Sequence, residues 1–472
     1  MSDDQRDAIL DSVRYLRNVR PIDPDEIVEY VPDQPHPGVV KQTIREAAVE
    51  LGLREREDGT FTPAPEGPLD TSVDQVEAFP ERYARLLEDL LVGEFGAGWP
   101  EGESGEQLRT RIRSVKESYL QGADVAYDRV TALAYALYHL PDYYAVGQYA
   151  LEPLLADDRV PAQLRVLDVG AGVGGPALGL LDLVREAGGI VDYHAVEPSD
   201  AADVLSALLD ETGSNAHTTV HRERAEDFDP DGTFDLIVFS NVLDELDSPA
   251  AVLRQYADAL EPDGSILALS PADKRTATGL RTIERAVEDT YTIYAPTVRL
   301  WPGETPSGEC WSFDRQPDLA VAPFQQRLDE ACDDPEHDDG EFENADVQYA
   351  YSILRRDDAT AIEYTPDGSR VTKMAAADSY VTDRVDVVGI KLSPDLRSGP
   401  DANPLFLVGD GSERIDHFAV LTRESTLNRD LLASQYGDLL SFENVLALWN
   451  DDEGAYNLVV DAETVVDSVP VP

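Results

Sequence analysis

The stretch RVLDVGAGVGGPALGLLDLV, from Arg165 to Val184, decides the fold. Arg165 to Val169 is short and apolar, as a buried strand is, and Pro176 to Val184 carries the Leu and Ala spacing of a helix start. Gly170, Gly172 and Gly174 therefore fall on a strand-to-helix turn, where a missing Cβ lets backbone N–H groups come close to a ligand. From Arg165 to about Arg356 apolar strands alternate with helices, the pattern of a parallel-sheet α/β domain. Strands are expected at Arg165–Val169, Val191–Val196, Thr218–His221, Asp235–Ser240, Gly264–Ser270 and Val347–Arg355.

Around that domain the texture changes. Residues 1–70 read as winged-helix-like: DPDEIVEYV is a capped helix, HPGVVKQTIREAAVELGL a longer amphipathic helix ending at Gly52, and REREDGTFTPAP a hairpin turning at Asp58-Gly59. Lys41 and Arg45 share a helix face, and Arg54 and Arg56 begin the wing. That face suits a nucleic-acid backbone, while the interleaved Glu46, Glu50, Glu55 and Glu57 suit a dimerisation or packing module. Residues 71–156 read as helical throughout, with Tyr127, Tyr135, Tyr138, Tyr143, Tyr144 and Tyr149 at the spacing of a core stripe. The α/β domain is assigned to residues 157–358, and the acidic run CDDPEHDDGEFE before its last strand is read as a solvated loop or linker. In residues 359–472 short strand-like runs broken by Gly, Pro or Asp point to a small β-barrel of OB-like kind.

A chain of 472 residues is long enough for about three domains and a sizeable core. Its 93 acidic against 38 basic residues give a formal charge of -55. The imbalance reads as adaptation to a cytoplasm of very high salt, where screening shortens charge repulsion to about 3 Å at 1 M. In a halophilic protein acidity does not by itself exclude nucleic acid, so the local placement of arginine has to decide. Cys310 and Cys332 cannot build a disulfide framework, and no CxxC or HExxH occurs, so no structural metal is expected. The start MSDDQRDAIL has no basic segment ahead of an apolar core, and no apolar run approaches the ~20 residues of a membrane span. The chain reads as soluble and cytoplasmic, with no membrane partner; its oligomeric state is not legible.

Asp168 stands two residues before the first glycine of the turn. Phosphate-binding turns need no negative charge there, and an acid would repel pyrophosphate. A carboxylate suits an ammonium group, while the N–H groups of the turn around Gly170, Ala171, Gly172 and Gly174 suit a carboxylate, and a ligand bearing both is an amino acid. The next strand ends YHAVEPSD, placing Glu197, followed by Pro198, where an acid can accept from two neighbouring ribose hydroxyls. In RAEDFD, Asp227 beside Glu226 can accept from an adenine amino group while Phe228 packs on the ring. An amino acid joined to an adenosine is S-adenosylmethionine.

LDVGAGVGG, AVEPSD, AEDFD and FDLIVFSNVLDEL resemble the consecutive motifs of Rossmann-like S-adenosylmethionine-dependent methyltransferases, over about Leu164 to Ser270. A narrower resemblance, from about Tyr119 to Arg356, is to the small-ribosomal-subunit methyltransferase-like family known from mitochondrial ribosomes. It is carried by AYDRVTALAYALYHLPDYY, SNVLDEL, SPADKRTATGLRTIERA, APTVRLWPGETPSGECWSF and VQYAYSILRR. The resemblance implies a methyltransferase acting on small-subunit ribosomal RNA, or a factor assisting assembly of that subunit. The chain departs from the family in two places. The fifth-strand segment, usually Glu-Pro-Gly-Thr, reads Ser270-Pro271-Ala272-Asp273, and of the cysteines that hold an iron–sulfur cluster in mitochondrial members only Cys310 stands here, so no cluster is expected.

After the fourth strand, Ser240-Asn241-Val242-Leu243 lacks the Pro-Pro and aromatic residues of base-amine methyltransferases, so amine methylation has no motif behind it. Ser240 and Asn241 are expected at the cofactor, and Asn241 and Asp244 at the end of the sheet that meets substrate. Asp244 and Glu245 equally suit the first turn of a helix, where the dipole favours acids. Two alternatives remain open. One is a small-molecule O-methyltransferase with a winged-helix dimerisation domain, a group that normally places a His base after the fifth strand, where this chain has none. The other is a cofactor-binding assembly factor that methylates nothing. For an RNA partner, Lys274, Arg275, Arg281 and Arg285 follow the fifth strand, with Arg299 and Trp301 in the loop beyond. With Trp311, these can hold phosphates and stack an unpaired base; the plainer reading pairs the cations with carboxylates and buries the tryptophans.

Overall fold

A computed structural model describes residues 1–123 and 125–471. The chain opens on a helix outside the expected elements, α1 (Asp3–Leu16), whose capping box is written in the sequence: Ser2 accepts from the N–H of Gln5, and the Gln5 side chain accepts from the N–H of Ser2. Next come α2 (Pro24–Ile27), capped by Asp23, and α3 (Pro37–Glu46). The expected single long helix breaks at Ala47 and resumes as α4 (Ala48–Leu51), ending on left-handed Gly52. Strands β1 (Leu53–Glu55) and β2 (Phe61–Pro63) then form the expected hairpin. Ile9, Val13, Ile27, Val40, Ile44, Leu53 and Phe61 make a common core.

In this module Lys41 Nζ and Arg45 Nε both bind the carboxylate of Glu55, at 2.7 and 2.6 Å, and Arg54 donates to the carbonyl of Gly188. The cations of the face read as suited to a nucleic-acid backbone are thus engaged within the chain, which favours the packing reading.

Helices α5 (Glu81–Phe95), α6 (Gly102–Gln121), α7 (Arg129–Tyr149) and α8 (Glu152–Ala156) follow. Residues 70–80 are not helical, contrary to expectation. They lack an apolar stripe at helical spacing, and the Glu77 carbonyl instead accepts from the N–H of Ala320.

The α/β region runs β3 (Gln163–Val169), α9 (Gly175–Glu186), β4 (Ile190–Val196), α10 (Ala201–Leu209), β5 (Ala216–His221), β6 (Phe234–Ser240), α11 (Pro249–Gln255), β7 (Leu260–Pro271), α12 (Lys274–Val287), β8 (Thr292–Ala295), β9 (Asp314–Gln316), α13 (Pro323–Glu330) and β10 (Val347–Arg355). It is a Rossmann-like sheet of order β5-β4-β3-β6-β7-β10-β8, with β9 paired to β10. All the expected strands are present. β3, β4 and β5 are parallel, but β10 runs antiparallel to β7, β8 and β9, so the all-parallel reading fails at that side. β8 and β9 span only 4 and 3 residues, too short to leave an alternating pattern in the sequence.

The chain divides into two compact units, residues 1–237 with 318–345, and residues 238–317 with 346–472. The division crosses the sequence-based boundaries and falls inside β6. In the first unit α7 lies directly on α9: a Cβ at Gly147 would stand 2.2 Å from the Pro176 carbonyl oxygen, and one at Gly179 2.1 Å from that of Tyr144. Of the six tyrosines of the core-stripe reading, Tyr143, Tyr144 and Tyr149 are buried, whereas Tyr127, Tyr135 and Tyr138 are only partly so. The acidic run after α13 has no regular structure and leaves Asp333, Asp334, Glu336, Asp338 and Asp339 exposed, as the solvated-loop reading expects, while its far end is anchored. Arg113 clasps Glu341 through two hydrogen bonds of 2.6 and 2.8 Å, and His337 stacks on fully buried Phe342.

In the second unit β11 (Arg384–Lys391), β12 (Leu405–Gly409), β13 (His417–Leu421), α14 (Asp430–Ala433), β14 (Leu439–Asn450), β15 (Ala455–Val460) and β16 (Val465–Ser468) complete the chain. The order β11-β12-β13-β15-β14 closes by pairing β14 back onto β11, a five-stranded barrel in which only β13 and β15 are parallel and to which β16 adds along β14. This is the OB-like barrel the sequence pointed to, filled by Val387, Phe406, Ala419, Leu440, Phe442 and Leu458.

Candidate functional site

The turn from β3 into α9 holds Gly170, Gly172 and Gly174 at φ of 74°, 53° and 87°, all left-handed, a conformation that costs side-chain-bearing residues about 1–2 kcal/mol each. A Cβ at Gly174 would meet Leu205 at 2.4 Å, whereas one at Gly172 would meet nothing within 4 Å. Gly172 thus borders open space. The N–H groups expected to cradle a carboxylate are nevertheless engaged within the chain. Those of Gly170 and Ala171 donate to the Val196 carbonyl, that of Gly172 to Glu197 Oε2 at 2.9 Å, and that of Gly174 to the Ala171 carbonyl. The turn is stapled to the end of β4, which corrects the expectation that these donors lie free.

Asp168, at the end of β3, is 2 % exposed. Its Oδ2 accepts from the Tyr193 hydroxyl at 2.7 Å, while its Oδ1 is buried with no hydrogen-bond partner. Burial pushes this carboxyl up to about 7, the Tyr193 hydrogen bond opposes the shift, and the charge of Glu197 adds to it. An orphaned carboxylate oxygen in the interior costs about 1–3 kcal/mol or more, so it marks a place where a donor fits. Nothing in the sequence singled out Tyr193, whose role follows only from its seat on β4 beside β3.

Glu197 is held from both sides, Oε1 by the N–H of Ser199 and Oε2 by that of Gly172, each at 2.9 Å. Each oxygen keeps a second lone pair for a hydroxyl donor. Pro198 continues the turn. In the segment after β5, Asp227 is exposed and Glu226 pairs with Arg224 at 3.5 Å. Phe228 is buried and packs on the His221 ring at 4.8 Å, so its ring belongs largely to the interior rather than to an open adenine seat.

In the second unit Ser240 Oγ and Asn241 Oδ1 are buried with no hydrogen-bond partner. Asn241 adopts a left-handed φ of 55° while its N–H donates to Leu269, a strained residue at a strand end of the sort that gathers at functional sites. Asp244 lies in a single 3-10 turn. Burial pushes its carboxyl up, and Arg275 at 3.3 Å pulls it back down.

The RNA-contact candidates separate into two groups. Lys274, paired with Glu309 at 2.7 Å, and Arg275, paired with Asp244 at 3.3 Å, are held by carboxylates as the plainer reading has it, and they line an open groove of about 610 Å³ with Thr278, Thr282, Arg285 and Glu309 itself. Arg299 and Trp301 are corrected: Arg299 is folded onto Glu288 and the Thr297 carbonyl, and Trp301 is 6 % exposed with its Nε1 donating to Asp410 Oδ2 at 2.7 Å. The loop that carries them threads Val298 and Leu300 into a core shared with barrel residues Val388, Ile390 and Leu439, so Trp301 cannot stack on a base. Arg281 is buried against Glu284, and Trp311 Nε1 donates to the Ala272 carbonyl. Among the described residues no helix is long and apolar enough to cross a membrane.

Residues 136–322 match the family model of a methyltransferase domain. The chain therefore carries a methyltransferase domain on its Rossmann-like sheet. Residues 6–57 and 375–469 match the N-terminal and C-terminal domains of a domain of unknown function (DUF8157). Among solved structures the chain is similar to the N-methyltransferase NodS of Bradyrhizobium japonicum in complex with S-adenosylhomocysteine, with 13% identity over 52% of this chain and 98% of that one and a TM-score of 0.31. It is also similar to a SAM-dependent methyltransferase of Aquifex aeolicus, with 19% identity over 28% and 73% of the two chains and a TM-score of 0.24. No curated protein matches the chain.

Proposed function

We propose that the chain is an S-adenosylmethionine-dependent methyltransferase whose acceptor is small-subunit ribosomal RNA. The observation that carries the donor assignment is the buried, unpartnered Oδ1 of Asp168 beside a turn whose Gly172 borders open space. An α-ammonium group answers that oxygen with a charge-assisted hydrogen bond. Glu197, fixed by two backbone donors, answers a ribose diol. When bound, the cofactor supplies an electrophilic methyl group on a sulfonium. The chain's part is to hold its amino-acid end on Asp168 and its sugar on Glu197.

The RNA acceptor is supported by the OB-like barrel, a fold that commonly takes oligonucleotides, and by the groove of Lys274, Arg275 and Arg285 in a chain otherwise dominated by acids. Kinship with the small-ribosomal-subunit methyltransferase-like family belongs to the same reading. Mass spectrometry of ribosomal RNA from cells with and without the gene tests it. Loss of one methylated nucleotide from the small subunit is expected, and an unchanged modification map overturns the RNA acceptor.

A further inference from the structure

In the first unit α7 is pinned on two sides of the donor residues. Just ahead of its first turn the Tyr127 carbonyl accepts from the N–H of Asp200, three residues beyond Glu197. Further along, Tyr143 meets Gly175, the first residue of α9, so closely that a Cβ on that glycine would stand 2.6 Å from Tyr143 Cβ. His139 lies between these anchors, one helical turn before Tyr143.

At His139 the helix is opened from within. Pro141 has no N–H to offer the Leu137 carbonyl. Gln325 Nε2, wholly buried, takes that carbonyl at 3.1 Å and that of Tyr138 at 3.0 Å, and Asn344 Nδ2 also reaches the Tyr138 carbonyl. The irregularity is therefore a supported feature of the fold. Within it His139 Nδ1 faces Asp142 Oδ2 at 3.5 Å. Nδ1 and Asp142 Oδ1 are both buried with no hydrogen-bond partner, whereas the His139 side chain as a whole is 19 % exposed. Its exposure thus falls on the rest of the ring, which carries Nε2. The rings of Tyr135, Tyr138 and Tyr143 wall it at 4.9, 4.8 and 5.6 Å. A role in packing alone would not require an imidazole and a carboxylate with unsatisfied buried atoms.

Resting on the donor assignment above, we infer that His139 is the general base of the methyl transfer and that Asp142 orients it. As the acceptor oxygen or nitrogen forms its bond to the methyl carbon, the methyl–sulfur bond breaks and its electron pair returns to sulfur. The proton of the acceptor O–H or N–H passes to His139 Nε2, and the resulting imidazolium faces the Asp142 carboxylate. The acceptor is accordingly a group with a proton to lose. This assigns to α7 the base that the segment after the fifth strand lacks.

Wild-type protein, His139→Gln, Asp142→Asn and Asp142→Glu are compared in three measurements. In the first, diethyl pyrocarbonate labelling of His139, followed by mass spectrometry, should slow at least about fivefold when S-adenosylhomocysteine is bound; labelling that the ligand does not slow overturns the placement, whatever the acceptor. In the second, calorimetry should show S-adenosylhomocysteine binding to all variants within about twofold, and a His139→Gln protein that no longer binds it makes the residue structural and overturns the role. In the third, transfer of labelled methyl to small-subunit RNA from cells lacking the gene should fall about 100-fold in His139→Gln, with Asp142→Glu retaining more transfer than Asp142→Asn. Transfer within threefold of wild type in His139→Gln, or none from a wild-type protein that binds S-adenosylhomocysteine, overturns it as well. Failure of the donor assignment is seen separately, as wild-type protein that binds no S-adenosylhomocysteine.

Discussion

Replacing Asp168 by Asn should make the free protein more stable and donor binding weaker, and pH separates the two effects. The folded carboxyl is pushed up to about 7 by burial, while an Asp in an unfolded chain titrates near ~3.9. A folded value above the unfolded one means that the folded state keeps its proton where the unfolded chain has lost it. The stabilising contribution is therefore full below about pH 4 and is lost as pH rises through about 7. Some three units at ~1.36 kcal/mol each make this roughly 4 kcal/mol. The amide introduced by Asp168→Asn escapes that loss and can still accept from Tyr193, but it buries an NH2 where Oδ1 had no partner, at about 1–3 kcal/mol. At about pH 8 Asp168→Asn should thus be more stable than wild type by roughly 1–3 kcal/mol, an advantage that vanishes toward about pH 5. Binding should run the other way. An ammonium ligand needs ionised Asp168, so wild-type affinity for S-adenosylhomocysteine should rise about tenfold per pH unit up to about 7, while the variant binds weakly and with little dependence on pH. Denaturant unfolding and calorimetry across this range give both numbers. A variant less stable than wild type at about pH 8, or a wild-type affinity flat between about pH 5.5 and 7, would refute the reasoning.

Other expected outcomes follow from single contacts. Glu197→Ala removes the acceptors for two hydroxyls and should weaken S-adenosylhomocysteine binding by about 1.5–3 kcal/mol in calorimetry; unchanged affinity removes the ribose assignment. Gly179→Ala puts a Cβ 2.1 Å from the Tyr144 carbonyl oxygen, forces α7 off α9 and should cost about 3 kcal/mol in urea unfolding, an effect that an unshifted midpoint contradicts. Lys274→Glu combined with Arg275→Glu should abolish binding to small-subunit RNA in a filter assay and leave S-adenosylhomocysteine binding intact; RNA binding that survives moves the contact surface elsewhere.

The candidate donor site was legible in sequence as a pattern because its requirements are local. An acid ahead of a left-handed glycine turn and an acid at the tip of the next strand each announce themselves within a few residues, and both Asp168 and Glu197 stand where those patterns put them. The barrel was legible for a similar reason, since Gly, Pro and Asp mark the breaks between its short strands. What escaped depends on partners far away in the chain. Lys41 and Arg45 look like a free basic face until the hairpin returns Glu55 to them. Trp301 looks like a loop aromatic until Asp410, over a hundred residues later, meets its indole N–H. The engaged N–H groups of the glycine turn could not be foreseen either, because their acceptors Val196 and Glu197 reach them only through the β3–β4 register. Helix α1 is different in kind, since its Ser2/Gln5 capping box is local and written in the sequence.

The measurement that bears most directly on the donor site is a crystal structure of the protein grown with S-adenosylhomocysteine. The ligand's ammonium is expected within hydrogen-bond distance of Asp168 Oδ1 and its two ribose hydroxyls on the Glu197 carboxylate. Ligand bound with its amino-acid end away from Asp168, or no ligand at saturating concentration, would contradict the donor assignment.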